Sequence, residues 1–166
     1  MTPQEPHVKL ELRSNPLFLS GAREMVSSIA KRLGFSDESA AHIALAIDEA
    51  LCNVIRHGYD KAAERPIWIS LFPEGGVLTP ESQGQPSPTT ALRIVIEDEA
   101  RQVDLAEIKS RDLEEIRPGG LGVHIIRQVM DSVKYEHRPG PAGGMRLTMV
   151  KSRTPAADDS GSGAKP

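Results

Sequence analysis

Apolar positions in the first third of the chain recur at the three-and-four spacing of amphipathic helices. A first stripe lies within residues 16–34, and Pro16 and Gly34 are residue types that begin and end helices. Ser36 is a typical N-cap for a second helix. The apolar stripe of this second helix has five members: Ile43, Ile47, Leu51, Val54 and Ile55. One face of the helix should therefore be buried, and Gly58 should end it.

Alternation of apolar and polar residues, a high content of β-branched and aromatic residues, or a Gly- and Pro-rich turn between two segments predicts the strands in the rest of the chain. There are five such segments: residues 8–12, 67–72, 91–97, 133–137 and 145–151. Trp68, in the second segment, is expected in the core. Residues 73–90 are rich in Pro, Gly, Ser and Thr and show no periodicity. We therefore expect a mobile surface insertion there.

Length and charge exclude several classes of protein. The 166 residues are enough for one domain, predicted at residues 7–152, while 153–166 contain no large apolar residue and should form a disordered tail. The net charge is −3 with Lys and Arg spread along the chain, so direct nucleic-acid binding is not expected. The single cysteine, Cys52, excludes an internal disulfide. With neither signal-peptide features nor an apolar run of membrane-spanning length, we expect a cytoplasmic protein without membrane contact.

Two places along the chain carry candidate chemistry. Glu49 and Asn53 are one helical turn apart, so a carboxylate and a carboxamide project side by side and could share a ligand or a hydrated cation. The run GGLG at residues 119–122 precedes an apolar helix, and glycines at a helix start let a phosphate approach free N–H groups. Each pattern has a plainer interpretation, a solvated helix flank for the first and ordinary loop glycines for the second.

The sequence around both places resembles a known family. Asp48-Glu49-Ala50, Asn53 and His57-Gly58-Tyr59 resemble the N box of the ATP-binding fold shared by sensor histidine kinases, gyrases, Hsp90 chaperones and bacterial anti-sigma serine kinases. The ending His-Gly-Tyr and the phrase GGLGVHIIRQVMDSVKYEH look most like the anti-sigma kinases. The resemblance covers about residues 8–151. It implies a two-layer α/β sandwich, the Bergerat or GHKL fold, with helices on one face of a mixed, mostly antiparallel sheet.

The resemblance also implies site residues and cofactors. Glu49 matches the family's general base, Asn53 its magnesium ligand and Asp98 the aspartate that hydrogen-bonds the adenine amino group. Oxygen ligands of this kind suit magnesium, and a nearby carboxylate can take the proton of a serine hydroxyl. ATP and magnesium are the implied cofactors, under a lid at residues 103–119. The full nucleotide-binding set is Asn53, Asp98, Ala100, Gly119, Gly120, Leu121 and Gly122.

By the same resemblance, the protein is expected to be a partner-switching anti-sigma factor. Such a protein sequesters a sigma factor, phosphorylates a serine on a STAS-domain antagonist and can form a homodimer. Arg23, on the first helix, is a candidate for partner contact. One departure keeps an alternative open, because Ala100 and Gln102 stand where the family usually has glycine. The alternative is a non-catalytic module that acts by sequestration only.

Overall fold

Within the part of the chain that the structure describes, the fold contains five strands and three α-helices. A computed structural model describes residues 4–82, 84–106 and 121–154. The strands and helices in chain order are β1 (Val8–Arg13), α1 (Leu19–Arg32), α2 (Asp37–Asn53), β2 (Pro66–Glu74), β3 (Ala91–Asp98), α3 (Leu121–Val129), β4 (Ser132–His137) and β5 (Met145–Ser152). Short 3-10 turns cover Pro16–Phe18 and Pro80–Ser82, and a π-helical turn covers Val54–Gly58.

The strands form one sheet in the order β1-β2-β3-β5-β4, with each pairing antiparallel. Alternate strand residues such as Ile69, Ile94 and Met149 are fully buried against helix residues such as Val26 and Ile47, in a single core. The predicted two-layer α/β sandwich is confirmed. Within the described residues, no helix is long and apolar enough to cross a membrane.

Trp68 does not lie in this core, contrary to expectation. It pairs in register with Glu97 on the opposite face of the sheet and is half-buried there. The guanidinium of Arg138 covers it, 4.5 Å from the ring centroid. Alternation separates the two faces of a strand without saying which is inward. Here the aliphatic neighbours Ile67 and Ile69 fill the inward positions.

Polar side chains cap the starts of the helical segments, and Ser36 does so as predicted. Asn15 accepts a hydrogen bond from the backbone N–H of Leu17 at 3.0 Å and starts the 3-10 turn that precedes α1. Ser36 caps α2 by accepting from the backbone N–H of Ser39 at 3.1 Å. Helix α2 then widens into the π-helical turn, which ends at Gly58 as predicted.

The insertion before β3 is partly anchored, so the expectation of a mobile surface segment is wrong for its last residues. Thr89 is fully buried, and the Ser87 hydroxyl donates to the carbonyl of Leu33 at 2.7 Å. Arg153, predicted as the first residue of the tail, donates to the carbonyl of Ser87 at 2.8 Å. Side-chain bonds to backbone, rather than apolar burial, hold this segment. Residues 155–166 of the predicted tail lie outside the described part of the chain.

Candidate functional site

The contact between α2 and the start of α3 brings three predicted site residues together. A Cβ added at Gly122 would lie 2.8 Å from Glu49 Oε2 and 3.1 Å from Asn53 Nδ2. Gly122 is itself buried. Only a residue without a side chain allows the two helices to approach this closely without displacing the carboxylate and the carboxamide.

Helix α2 presents these polar groups because its other face is in the core. Ile47, Ala50 and Leu51 are buried on that face, so Glu49 and Asn53 project from its flank. Asn53 is also the last α-helical residue before the π-helical turn. Such turns occur frequently at functional sites, since they change the direction of the following side chains.

The amide nitrogen of Asn53 is buried and has no hydrogen-bond partner among the described residues. A buried polar group without a partner costs about 1–3 kcal/mol. Folded proteins keep few such groups, and each calls for an explanation. Because the side chain lies against the helix start at Gly122, a ligand at this point could complete its hydrogen bonding.

The start of α3 favours negative charge. The first N–H groups of a helix have no intrahelical acceptor and carry the positive end of the helix dipole. Leu121, the first described residue of α3, is 49% exposed. The Glu49 carboxylate lies beside this helix start. Gly119 and Gly120, also predicted to contact phosphate, lie outside the described residues, as does most of the predicted lid at residues 103–119.

Asp98, at the end of β3, is a buried carboxylate with one oxygen engaged. Asp98 is only 4% exposed. Its Oδ1 accepts hydrogen bonds from the backbone N–H groups of Ala100 at 2.8 Å and Met145 at 3.0 Å. Burial raises the pKa of this carboxyl, and the two N–H donors oppose that rise. No hydrogen bond from a described residue reaches Oδ2. This oxygen is therefore available to a donor such as an amino group.

Two residues that support Asp98 were not identified from the sequence. Gly144 has φ +106, and a Cβ added there would lie 1.9 Å from the carbonyl oxygen of Asp98. The paired glycines 143–144 before the last strand were the available signal. Tyr59 is the other residue: its hydroxyl accepts from the backbone N–H of Glu99 at 2.7 Å. Its place in His-Gly-Tyr gave no indication of this contact.

Ala100 does not adopt a positive φ, the conformation in which glycine would be needed. Among the described non-glycine residues, positive φ occurs only at Asp60, Lys61 and Glu64. Ala100 is 6% exposed, and a Cβ added at Gly58 would lie 2.8 Å from its methyl carbon. The methyl group is therefore buried against the end of the π-helical turn instead of projecting into open space.

These features fit a nucleotide bound with magnesium. The site offers a free carboxylate oxygen, an amide with unused hydrogen-bonding capacity and a helix start that approaches Glu49 without a side chain. Within residues 4–82, 84–106 and 121–154, no cluster of three or more His, Cys, Asp or Glu side chains could hold a metal. A magnesium ion here would need oxygens from phosphate and water, which is its usual coordination in nucleotide sites.

Comparisons with known proteins identify the family of this chain. The family model described as "Histidine kinase-like ATPase domain" matches residues 12–151. Two proteins named "Serine-protein kinase RsbW" are similar to this chain. The one from Oceanobacillus iheyensis is 26% identical, over 92% of this chain and 93% of the relative. The one from Listeria monocytogenes is 29% identical, over 84% of this chain and 85% of the relative. The solved "Mycobacterial sensor histidine kinase MprB" shares the fold, with TM-score 0.51 and 15% identity, covering 90% of this chain and 100% of that one. The chain therefore belongs to the histidine kinase-like ATPase domain family.

Proposed function

We propose that the protein is an anti-sigma factor with ATP-dependent serine kinase activity. It sequesters a sigma factor in the cytoplasm and phosphorylates a serine of a STAS-domain antagonist. The observation that carries the proposal is the contact of Gly122 with Glu49 and Asn53, which sets a carboxylate and an amide nitrogen, buried without a partner among the described residues, beside the start of α3. The relatives named serine-protein kinase give it further support.

Each site residue has a role in binding. Asn53 would hold the magnesium ion, and Asp98 would accept the adenine amino group at Oδ2. The N–H groups at the start of α3, with Gly119, Gly120 and Gly122, receive the phosphates. Bound magnesium-ATP supplies the transferable γ-phosphoryl group with part of its charge neutralised.

Glu49 acts on the incoming serine. Its carboxylate takes the proton from the serine hydroxyl as the oxygen attacks the γ-phosphorus, and ADP leaves. Glu49 is half-buried, so a serine of a docked partner can reach it.

The non-catalytic alternative is less well supported. It rests on Ala100 and Gln102, and neither has a positive φ, so glycine is not needed for the observed backbone. The Ala100 methyl is buried against Gly58. Ala100 and Gln102 therefore do not strain the loop beside Asp98 Oδ2.

The proposal includes a homodimer formed through β1. This strand is at the edge of the sheet, and an apolar groove of about 680 Å³ lies between it and the start of α1. Leu17 is 76% exposed and Phe18 48% exposed beside the groove. Two copies of an edge strand can pair across a two-fold axis, and the apolar groove of each copy is then covered by the same surface of the other copy. Light scattering on wild type and Leu17→Asp tests this, with a monomeric variant expected.

The experiment for the kinase activity combines binding with transfer. Magnesium-ATP at a hundredfold excess over its Kd should stabilise wild type by about 2.7 kcal/mol in thermal melts and stabilise Asn53→Ala much less. Labelled γ-phosphate should then appear on a purified STAS-domain antagonist and not on its Ser→Ala form. Binding of ATP and antagonist without transfer would favour the sequestration module. No thermal shift in wild type would refute the nucleotide site.

A further inference from the structure

The connection from the π-helical turn to β2, residues 59–65, has a strained backbone. Asp60, Lys61 and Glu64 have φ of 48°, 62° and 68°, in the left-handed region that favours glycine. Side chains other than glycine stay in this region only where the surrounding contacts force them to. Functional sites collect such residues. The contacts of this connection therefore bear on the function of the site.

Ser14 holds the connection from the β1 side. The residue is 1% exposed, and its hydroxyl donates to the carbonyl of Ala62 at 2.6 Å and accepts from the N–H of Arg65 at 3.0 Å. Its own N–H donates to the carbonyl of Arg65 at 2.8 Å. Three bonds from one buried residue fix both Ala62 and Arg65.

The two ends of the connection contact the backbone that follows Asp98. The Tyr59 hydroxyl accepts from the N–H of Glu99 at 2.7 Å and donates to the carbonyl of Pro66 at 2.5 Å. The Arg65 guanidinium lies 5.3 Å from the Tyr59 ring centroid and donates to the carbonyl of Glu99 at 3.4 Å. Both backbone groups of Glu99 are thus held by residues 59 and 65.

Glu99 is the residue through which these contacts can reach the site. Its peptide groups join Asp98 to Ala100, and Ala100 donates to Asp98 Oδ1. The other donor to Oδ1, the N–H of Met145, comes from β5. A rotation of the Glu99 peptide would move the N–H of Ala100 relative to the N–H of Met145. Because both groups donate to Oδ1, the direction of Asp98 Oδ2 would then change.

We propose that Tyr59 is a positioning residue for recognition of the nucleotide base. Its hydroxyl holds the Glu99 peptide, and this contact directs Asp98 Oδ2 toward the exocyclic amino group of a 6-aminopurine. The inference rests on the proposed function in one respect, that Asp98 binds the base. A carboxylate acceptor favours ATP over ITP, which carries a carbonyl in place of the amino group. Tyr59 therefore acts on the preference between these two nucleotides.

The first test needs no nucleotide. Amide hydrogen exchange of Glu99 and Ala100 is measured in wild type and Tyr59→Phe, which keeps the ring and removes the hydroxyl. We expect exchange of both amides to become about tenfold faster, because one hydrogen bond is lost locally. Tyr135→Phe is the matched control, since Tyr135 is a partly buried tyrosine packed against the core, with its pKa raised to about 12 by burial, and lies on β4. Unchanged exchange in Tyr59→Phe would overturn the inference.

The second test measures Kd for three magnesium complexes: ATP, ITP and inorganic tripolyphosphate. Working well below the melting temperature of each variant, we expect Tyr59→Phe to weaken ATP about five- to thirtyfold, in line with one hydrogen bond. Tripolyphosphate should change less than about twofold, since it lacks the base, and the preference for ATP over ITP should fall. Tyr135→Phe should change none of the three constants.

The remaining outcomes separate this inference from the proposed function. Equal weakening of all three ligands by Tyr59→Phe would mean a general structural role and overturn base positioning. Wild type that binds ATP no better than ITP would overturn the role of Asp98. Wild type that binds none of the three would refute the proposed function, and the exchange measurement would still decide whether Tyr59 holds the Glu99 peptide.

Discussion

The two ends of the candidate site differ in how completely their polar groups are satisfied. At the Asp98 end, Oδ1 has two backbone donors, and the following peptide is held by Tyr59. At the α2–α3 end, Asn53 Nδ2 is buried without a described partner, beside the start of α3 at Gly122. The base end is thus formed in advance of ligand, whereas the phosphate end keeps unused hydrogen-bonding capacity.

This difference indicates where binding energy comes from. A preformed base end costs little reorganisation on binding, so its hydrogen bonds contribute to affinity for the base as well as to selectivity. At the other end, a ligand that satisfies the Asn53 amide removes a cost of about 1–3 kcal/mol that the free protein bears. Substitutions at the base end should therefore disturb folding, affinity for the base and selectivity, whereas those at the phosphate end should disturb phosphate binding and chemistry.

The largest expected effect is on chemistry at the phosphate end. Glu49→Gln keeps the side-chain shape and removes the proton acceptor, so phosphoryl transfer to the antagonist serine should slow by about a hundredfold to ten-thousandfold. Affinity for ATP should barely change. Asp48→Asn is the matched control, because the neighbouring carboxylate of Asp48 pairs with Arg23 at 3.4 Å instead of meeting α3. Transfer by Glu49→Gln at the wild-type rate would remove the general base from the mechanism.

A pair of glycine substitutions tests the two ends against each other. Gly144→Ala places a methyl against the Asp98 carbonyl at φ +106, so it should lower the free energy of unfolding by about 2–4 kcal/mol in urea titrations. Gly122→Ala meets the ends of two side chains, Glu49 and Asn53, which can move aside. It should cost about 1 kcal/mol in folding and abolish stabilisation by magnesium-ATP.

The comparison would fail if both substitutions behaved alike. Equal losses of folding stability would mean that the α2–α3 contact is as rigid as the base end. Retained stabilisation of Gly122→Ala by magnesium-ATP would mean that the phosphates bind elsewhere.

Local patterns predicted the elements of this fold well. Apolar periodicity located the strands within one or two residues, and Ser36 and Gly58 mark the helix ends as expected, because these signals depend on near neighbours. The meeting of Glu49, Asn53 and Gly122 is a long-range contact. It was predicted only through the family resemblance, and the structure brings these three residues together.

The support of Asp98 could not be predicted from the sequence. It depends on bonds between residues far apart in the chain, such as Ser14 with Arg65, 51 positions apart, and Tyr59 with Glu99, 40 positions apart. Neither periodicity nor turn composition carries that information. The anchored end of the insertion at Ser87 has the same explanation, since its partner Leu33 is 54 positions away.

Asp98→Asn tests the base end through its affinity for ATP and through the pH dependence of folding stability. The Asn Oδ1 can still accept both backbone bonds, but Nδ2 replaces the free acceptor, so ATP should bind about ten- to a hundredfold more weakly, the range for a bond to a charged group. Burial raises the folded-state pKa of Asp98 above its ordinary 3.8. Its contribution to stability is then fully present below 3.8 and lost as pH rises through the raised pKa. Wild type should lose stability relative to Asp98→Asn over that range.

Asp131 provides the control of opposite sign. A hydrogen bond from the backbone N–H of Ser152 lowers the pKa of Asp131 below 3.8. Its contribution to folding stability is present above pH 3.8 and is lost as pH falls through the lowered pKa. The stability of wild type relative to Asp131→Asn should therefore increase as pH rises. Urea titrations from acid to neutral pH measure both differences. The same slope for both variants would contradict the assigned pKa directions.

The smallest expected effect concerns the contact of Gly58 with Ala100, which joins the base end to the π-helical turn. Gly58→Ala would bring a methyl 2.8 Å from that of Ala100, so it should destabilise by about 1–2 kcal/mol. Ala100→Gly alone should cost about 1 kcal/mol through backbone entropy and change ATP affinity less than about threefold, because its methyl is buried against Gly58. In the double variant the steric clash is gone, and a double-mutant cycle should give a favourable coupling of about 1 kcal/mol. If Ala100→Gly instead tightened ATP binding tenfold or more, the methyl would obstruct the base and the preformed end would be a poorer nucleotide site than its hydrogen bonds indicate.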